Sequence, residues 1–401
     1  MKEKRISQNT IIILCWLIYS MAYLGRYSYN ANITLIIESY GVTKAQAGLV
    51  ATFFFFAYGV GQVINGILSS RYNKKILFPT VLLVSSAINL ALYFGAPFFT
   101  FKYLWLINGF AQSCLWSGIV SVISKTVDDA HLGRAMVLLS TTTCVGTIAA
   151  YSSSSFFAFL NNYRLAFLFG AAVMTLLGVI WFCVYGKDLE VYKKERVDDA
   201  PEKGSGKMRG FIILMLFLGF VSVIHNIVKD GLTTWVPEIL KDRYGLPDSL
   251  SILLTVVLPV LGIFGALISL KLNKYIKNFL LLISLLFAVS TAGIAVIAGV
   301  PAMNAAFAVI LFGVVVCMMH GINNVVTSLA PLKMRDVVDS GKMAGILNGC
   351  CYAGSTVSSY ALGKIADVGG WQTVLNLLVI LCLCSIAVGI VGSRAGRNNE
   401  E

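Results

Sequence analysis

Long apolar stretches, separated by short polar ones, run along nearly the whole chain. Each is roughly 20 residues or longer, the length with which an α-helix crosses the hydrocarbon core of a bilayer. We predict twelve such segments, six in each half of the chain. They span residues 11–37, 45–69, 76–95, 101–123, 135–159 and 163–185, then 210–238, 249–270, 278–298, 303–329, 343–364 and 371–392.

The composition indicates that these segments lie in a membrane. Hydrophobic residues make up 57% of the chain and charged residues 12%, about half the charged fraction of soluble domains. Helices are expected because a helix satisfies its own backbone hydrogen bonds in lipid. The sequence does not show the alternating ten-residue pattern that is typical of β-barrel strands.

The two halves of the chain resemble each other as parallel repeats. SYGVTKAQAGL follows the first predicted segment, and RYGLPDSLSIL follows the seventh. GRAMVLL and GKMAGIL likewise precede the fifth and the eleventh segments. We therefore predict an all-α membrane protein with twelve transmembrane helices in two pseudo-symmetric six-helix bundles. Its expected parts are an N-terminal bundle at 1–185, a cytoplasmic linker at 186–209 and a C-terminal bundle at 210–401.

The net charge of +12 is explained by membrane topology rather than by nucleic-acid binding. Most of the 31 Lys and Arg residues fall on the side of the membrane that holds the N-terminus, and basic residues are enriched in cytoplasmic loops. Both termini and the linker are therefore predicted to be cytoplasmic. We expect a monomeric, multi-pass protein of the cell membrane, in a bacterial cytoplasmic membrane, with the lipid bilayer as its surroundings.

Two basic residues, Arg26 and Lys229, fall inside predicted helices, at equivalent positions of the two repeats. An ionised group at the bilayer centre costs roughly 2.5–3.5 kcal/mol, so each cation needs compensation. Asp230 is essentially the one acid that the membrane segments offer. Two cations against one acid favour anion binding over a purely structural ion pair. The planar guanidinium of Arg26 matches phosphate or carboxylate oxygens.

Polar residues follow both cations along their helix faces, because residues three and four apart share a face. Tyr23 and Asn30 share the face of Arg26, and His225 lies one turn from Lys229. We expect His225 either to titrate near neutrality or to be a hydrogen-bonded packing residue.

Asp230 has three readings that the sequence leaves open. It could be a proton-coupling acid, a counter-ion for Lys229, or a group bonded to hydroxyls of a neighbouring helix. Adjacent residues on a regular helix point about 100° apart, which disfavours a direct pair with Lys229. Gly231 is therefore expected to let the helix unwind, as carrier helices do at their sites.

The chain resembles the major facilitator superfamily over all twelve predicted helices. GILSSRYNKK (66–75) is similar to the family's G-x-x-x-D-R-x-x-[RK]-[RK] loop, with Ser70 in place of the aspartate. A closer resemblance is to the organophosphate:phosphate antiporters, which carry glycerol phosphate and hexose phosphates. That resemblance rests on YLGRYSYNANI (23–33), YGVGQVINGILSSR (58–71), NGFAQSCLWSGIV (108–120), KDGLTTWVPEIL (229–240) and NGCCYAGS (348–355).

This resemblance implies that Arg26 and Lys229 bind substrate and that three tyrosines line the cavity, namely Tyr23, Tyr58 and Tyr352. Gln112 and Trp116 share one helix face with Asn108 and either contact substrate or bond between helices. The chain departs from the antiporters at three positions: Lys229 replaces an arginine, Gln62 a cavity lysine and Thr143 a central histidine.

We therefore predict a secondary active transporter of a small organic anion, most simply a phosphorylated metabolite exchanged for inorganic phosphate. The alternatives are a proton-coupled symporter of sugar acids or other carboxylates, and a membrane sensor of a sugar phosphate. An enzyme is not expected, since no nucleotide-binding loop or catalytic triad occurs in the sequence. No cofactor or metal site is expected, and the nine cysteines are interpreted as small hydrophobic residues.

The charge distribution predicts the orientation of the linker. A cysteine introduced within 186–209 should react with an impermeant maleimide only in inside-out vesicles, because that segment is expected on the cytoplasmic side. The parent protein with its native cysteines alone is the control. Labelling of the introduced cysteine in intact cells would overturn the predicted topology.

Overall fold

The computed structural model describes residues 7–68, 72–185, 205–300, 302–334 and 340–397. Within these ranges the chain forms helices joined by short connections, and no strand occurs in them. Most of the predicted linker, residues 186–204, lies outside the described ranges. Ser70 of the predicted loop motif lies outside them as well.

The described residues form sixteen α-helices and one π-helical turn. In chain order they are α1 (Gln8–Ala22), α2 (Leu24–Ala31), α3 (Ile33–Tyr40), α4 (Lys44–Leu68), α5 (Lys74–Tyr93), α6 (Phe98–Thr126), α7 (Asp129–Ser140), α8 (Thr142–Phe159), α9 (Leu165–Val184), α10 (Ser205–Tyr244), α11 (Asp248–Thr255), α12 (Val257–Asn273), α13 (Phe279–Gly299), α14 (Ala305–Asn324), the π-turn (Val325–Leu329), α15 (Ala330–Lys333) and α16 (Ser340–Arg397).

Eleven helical stretches of the described chain are long and apolar enough to cross a membrane. The last of them, Met343–Arg394, has 52 residues, more than twice the roughly 20 residues that one crossing needs. Its backbone leaves the helical conformation at Gly370, where φ is 68° and ψ is 175°. Only glycine adopts that region readily. The stretch therefore supplies the eleventh and twelfth predicted helices, and the prediction of an all-α, multi-pass protein is confirmed.

Several helix boundaries differ from the predicted ones. The first predicted span, 11–37, is divided into α1, α2 and α3 by breaks at Tyr23 and Asn32. At the first break Tyr23 N–H donates to Ser20 O at 3.2 Å, the tighter pattern of a 3₁₀ turn. At the second, Asn32 Nδ2 donates to Ser28 O at 2.8 Å and competes with the backbone. Hydropathy alone does not register such interruptions.

The tenth predicted span, 303–329, also differs, because α14 ends at Asn324 and continues as a π-helical turn. Thr327 Oγ1 donates to Asn323 O at 2.8 Å inside this region. The wider winding of a π-turn shifts the faces of the residues that follow it.

The chain divides into two compact units. Unit 1 comprises residues 1–40, 53–197 and 248–253, and unit 2 comprises 41–52, 198–247 and 254–401. The first turns of α4 thus belong to unit 2, and the first turns of α11 to unit 1. The boundaries at 185 and 210 that the sequence suggested for two bundles stay a prediction.

In unit 1, α8 packs against α1 and α2, while α5 packs against α6 and α9. In unit 2, α10 and α13 pack against α16, and α12 packs against α14. Glycines allow two of these close approaches: Gly146 faces the Ser20 carbonyl in unit 1, and Gly265 faces the Cys317 carbonyl in unit 2. Small residues at such crossings let membrane helices approach closely.

In unit 2 a set of ionic contacts fixes the start of α4. The carboxylate of Asp367 on α16 accepts from the backbone N–H groups of Lys44, at 3.0 Å, and Ala45, at 2.8 Å. The ammonium of Lys44 lies 3.1 Å from Asp242 Oδ2 and 3.5 Å from Glu238 Oε1. A carboxylate at a helix N-terminus satisfies unbonded N–H groups and complements the positive end of the helix dipole.

Replacing this cap should destabilise unit 2. Asp367→Asn removes the negative charge and one of the two acceptors, so we expect the free energy of unfolding to fall by about 1 kcal/mol. The measurement is the thermal unfolding midpoint in detergent. The parent protein is the control. A midpoint equal to that of the parent protein would contradict the assigned role of Asp367.

Candidate functional site

Arg26 lies on α2 in unit 1 with 5% of its surface exposed. Its guanidinium carbon lies over three aromatic rings, 4.5 Å from the centroid of Tyr23, 5.0 Å from Phe54 and 4.4 Å from Tyr58. Each such contact is worth about 0.5–1 kcal/mol at exposed sites and about 2 kcal/mol or more when the groups are desolvated. Three aromatic rings thus contact the guanidinium.

A hydrogen-bonded chain connects Arg26 to neighbouring helices. Arg26 Nε donates to Gln112 Oε1 at 3.4 Å, and Gln112 Nε2 donates to Asn108 Oδ1 at 3.1 Å and to Ser85 Oγ at 3.2 Å. Asn108 Nδ2 donates in turn to the Gly25 carbonyl at 2.8 Å. In this structure Gln112 and Asn108 therefore bond between α2, α5 and α6, as one of the two sequence-based interpretations anticipated.

Tyr58 is fully buried and is the centre of a second group of polar contacts. Its hydroxyl lies 3.2 Å from the hydroxyl of Tyr19 and accepts from Gln62 Nε2 at 3.3 Å. The ring of Trp116 lies 5.2 Å from that of Tyr19. Three predicted site residues, Tyr58, Gln62 and Trp116, thus contact Tyr19 or one another, and the ring of Tyr58 contacts the guanidinium of Arg26.

The remaining candidates of unit 1 are Tyr23 and Asn30, which precede and follow Arg26 along the chain, and Thr143 on α8. Tyr23 shares a hydrogen bond of 3.0 Å with Thr143 Oγ1 on α8. Asn30 is buried one turn beyond Arg26 on α2. Phe54 was missed by the sequence reasoning, although its place one helical turn before Tyr58 is a signal that could have found it.

The six candidate spans between Gln8 and Val184 contain no Asp or Glu. The candidate spans of unit 1 therefore carry a net positive charge. Among their cations, Arg26 lies farthest from the ends of its span. Such a site attracts an anion, because charge interactions strengthen as water is excluded.

In unit 2, Lys229 and Asp230 form an ion pair, with 3.5 Å between Lys229 Nζ and Asp230 Oδ1. The expectation that adjacent residues would not pair directly is wrong, and so is the expectation that Gly231 unwinds the helix. The backbone of α10 is helical from Ser205 to Tyr244. The four-carbon chain of lysine is long and flexible enough to reach the neighbouring carboxylate without backbone distortion.

Gly231 has a packing role instead. A Cβ at this position would overlap the side chain of Leu362 on α16. Glycine therefore gives Leu362 room in the contact between α10 and α16.

Asp230 is also bonded to α16. Ser355 Oγ donates to Asp230 Oδ2 at 2.5 Å, while Asn226 Nδ2 donates to Ser355 Oγ at 2.9 Å and to the Cys351 carbonyl at 2.8 Å. Asp230 therefore makes the contacts of two of the three interpretations at once: it lies beside Lys229 as a counter-ion would, and it accepts from a hydroxyl of the neighbouring helix. Ser355 was not among the predicted site residues, and its i+4 spacing from Cys351 gave no hint of this contact.

His225 is fully buried one turn before Lys229. Its Nδ1 lies 3.3 Å from the Val221 carbonyl, and its Nε2 lies 4.0 Å from Cys351 Sγ. These contacts fit a packing histidine. Tyr352 is partly buried on α16, one turn before Ser355, and its role in the cavity stays a prediction.

The family model of the Major Facilitator Superfamily matches residues 15–338. The chain therefore belongs to this superfamily. It is a multi-pass membrane transporter and not an enzyme, as the sequence predicted.

Two relatives and one solved structure illustrate the range of similar proteins. The chain is 22% identical to the membrane sensor protein UhpC of Escherichia coli (strain K12), over 96% of this chain and 91% of the relative. It is 25% identical to sugar phosphate exchanger 3 of Gallus gallus, over 84% and 77%. The inward-facing, occupied crystal structure of a bacterial homologue of the human lysosomal transporter Spinster matches with a TM-score of 0.77. That match covers 98% of both chains at 14% identity and bears on the fold alone.

Proposed function

We propose that this transporter carries a small organic anion, in particular a phosphorylated metabolite such as a sugar or glycerol phosphate, in exchange for inorganic phosphate. The observation that carries the proposal is the setting of Arg26, buried in spans that contain no acidic residue. The similarity to sugar phosphate exchanger 3 supports a phosphorylated substrate.

The chemistry of the two cations suits such a substrate. The Arg26 guanidinium lies among three aromatic rings, and its parallel N–H donors match two oxygens of a phosphate. Lys229 supplies a compact charge that can move from Asp230 to an incoming anion. Each unit thus holds one cation whose chemistry suits an anion.

Exchange rather than net uptake follows from the cost of a buried cation. A charge in the membrane interior costs several kcal/mol unless it is offset. We infer that reorientation of the carrier is slow while Arg26 has no substrate anion beside it, and fast when an anion is bound. Such a carrier returns only with a second anion, which inorganic phosphate can supply.

A proton-coupled symporter of sugar acids or other carboxylates is the second candidate. Asp230 offsets Lys229, and Gln62 and Thr143 are neutral where the antiporters carry a lysine and a histidine. The lower positive charge would suit a monoanionic carboxylate. The similarity to UhpC, which is described as a membrane sensor, keeps a sensing role as a third candidate.

The guanidinium fork of Arg26 should be essential. Arg26→Lys keeps the charge but loses the paired donors, so we expect affinity for a phosphate ester to fall at least about tenfold, or about 1.4 kcal/mol. Lys229→Arg should be tolerated better, because it keeps the charge and adds donors. The measurement is the stabilisation of purified protein against heating, over a titration of glycerol phosphate, glucose phosphate and gluconate.

Arg134→Lys, a conservative change at a span end, controls for non-specific effects of an arginine replacement. Equal stabilisation of Arg26→Ala and the parent protein by every ligand would contradict the proposal. A preference for gluconate that depends on Arg26 would favour the carboxylate symporter instead.

Asp230→Asn separates the counter-ion from the proton carrier. A counter-ion competes with substrate for Lys229, so its removal should raise anion affinity and slow reorientation of the empty carrier. A proton carrier should instead lose accumulation driven by a pH gradient and keep exchange between equal concentrations. Uptake and exchange in the same vesicles at two pH values distinguish the outcomes, and we expect the counter-ion result.

A further inference from the structure

The carboxylate of Asp230 divides its two oxygens between different partners. Oδ2 accepts from Ser355 Oγ at 2.5 Å, while Oδ1 lies 3.5 Å from Lys229 Nζ. Charge-assisted bonds from an ammonium are typically about 2.7–2.9 Å long. The hydroxyl contact is therefore the tight one, and the contact with the ammonium is loose.

Asn226 fixes the direction of this hydrogen bond. The Cys351 carbonyl can only accept, so the nitrogen of the Asn226 side chain must face it, at 2.8 Å. The same nitrogen donates to Ser355 Oγ at 2.9 Å and occupies a lone pair there. The single hydroxyl proton of Ser355 is then free to point to Asp230, the nearer of its two acceptors, rather than to the Cys351 carbonyl at 3.2 Å.

The two members of the ion pair are not equally accessible. The side chain of Lys229 is 18% exposed, whereas that of Asp230 is 6% exposed. An anion that reaches this site meets the ammonium, while the carboxylate stays behind it on the side of α16. Substrate binding at Lys229 therefore amounts to competition with Asp230.

We propose that Ser355 is a positioning residue that holds the Asp230 carboxylate back from Lys229 and so sets the affinity of Lys229 for a bound anion. Without the hydroxyl, the carboxylate has the ammonium as its remaining strong donor in this network and competes harder with substrate. The inference rests on the proposed function, because it assumes that Lys229 binds the transported anion.

A double-mutant cycle tests this role, with inorganic phosphate as the probe. The proteins are the parent, Ser355→Ala, Asp230→Asn and the double variant, each assayed for KM and Vmax of phosphate exchange in proteoliposomes. We expect Ser355→Ala to raise KM about fivefold, the scale of one lost hydrogen bond, with little change in Vmax. In the Asp230→Asn background the same substitution should leave KM unchanged, because the competing carboxylate is gone.

Two further variants control for packing. Ser355→Thr keeps the hydroxyl and should retain the parent KM. Ser358→Ala removes an equally buried hydroxyl on the same helix, one that donates to the Ser355 carbonyl, and it should have no effect on KM. If Ser355→Ala does not fold, Ser355→Cys takes its place, since a thiol fills similar space and is a weaker donor.

An equal rise in KM in both backgrounds would overturn the proposal and assign Ser355 to packing. An unchanged KM in both backgrounds would overturn it as well. Failure of the proposed function has a different signature: the parent protein itself would then show no phosphate exchange. Phosphate exchange by Lys229→Ala at the parent rate would show instead that Lys229 does not bind the transported anion. If Lys229→Ala loses exchange while Ser355→Ala has the same effect in both backgrounds, only the role of Ser355 is rejected and the proposed function stands.

Discussion

Each charge inside the membrane must be offset by groups of the protein or by a bound ion, and the two halves of this chain meet that requirement differently. Arg26 is surrounded by aromatic rings and a glutamine amide, which stabilise a cation without neutralising it. Lys229, which the sequence repeat predicts at the equivalent position, has a carboxylate beside it. The surroundings of the two cations therefore make them chemically distinct.

Hydrogen bonds between packed helices also offset polar and charged groups inside the membrane. Asn108 and Gln112 bond between helices in unit 1, and Asn226 and Ser355 bond between helices in unit 2. Polar side chains in lipid are costly unless their donors and acceptors are used, so each network also holds the charged group that it contacts.

Much of the fold could be predicted from the sequence, because membrane helices must be long, apolar and internally hydrogen-bonded. The helix interruptions at Tyr23 and Asn32 could not, since local side-chain bonds produce them without changing hydropathy. Around Arg26, helical spacing found Tyr23, the family resemblance implied Tyr58, and Phe54 was missed. Around Lys229, helical spacing did not predict the contact with Asp230. Spacing describes the directions in which side chains leave the helix and does not account for the length of a lysine side chain. Ser355 was missed because its contact with Asp230 depends on how α10 and α16 pack against each other. The residue pattern of a single helix does not predict that packing.

The most direct test of anion exchange is phosphate counterflow in proteoliposomes that contain the purified protein. Vesicles loaded with unlabelled phosphate should take up labelled phosphate from outside, whereas empty vesicles should take up little. An imposed pH gradient should not drive uptake in place of the internal phosphate, because the carrier is proposed to move when a bound anion offsets its buried cations. Uptake into empty vesicles driven by a pH gradient, with no requirement for internal anion, would contradict it.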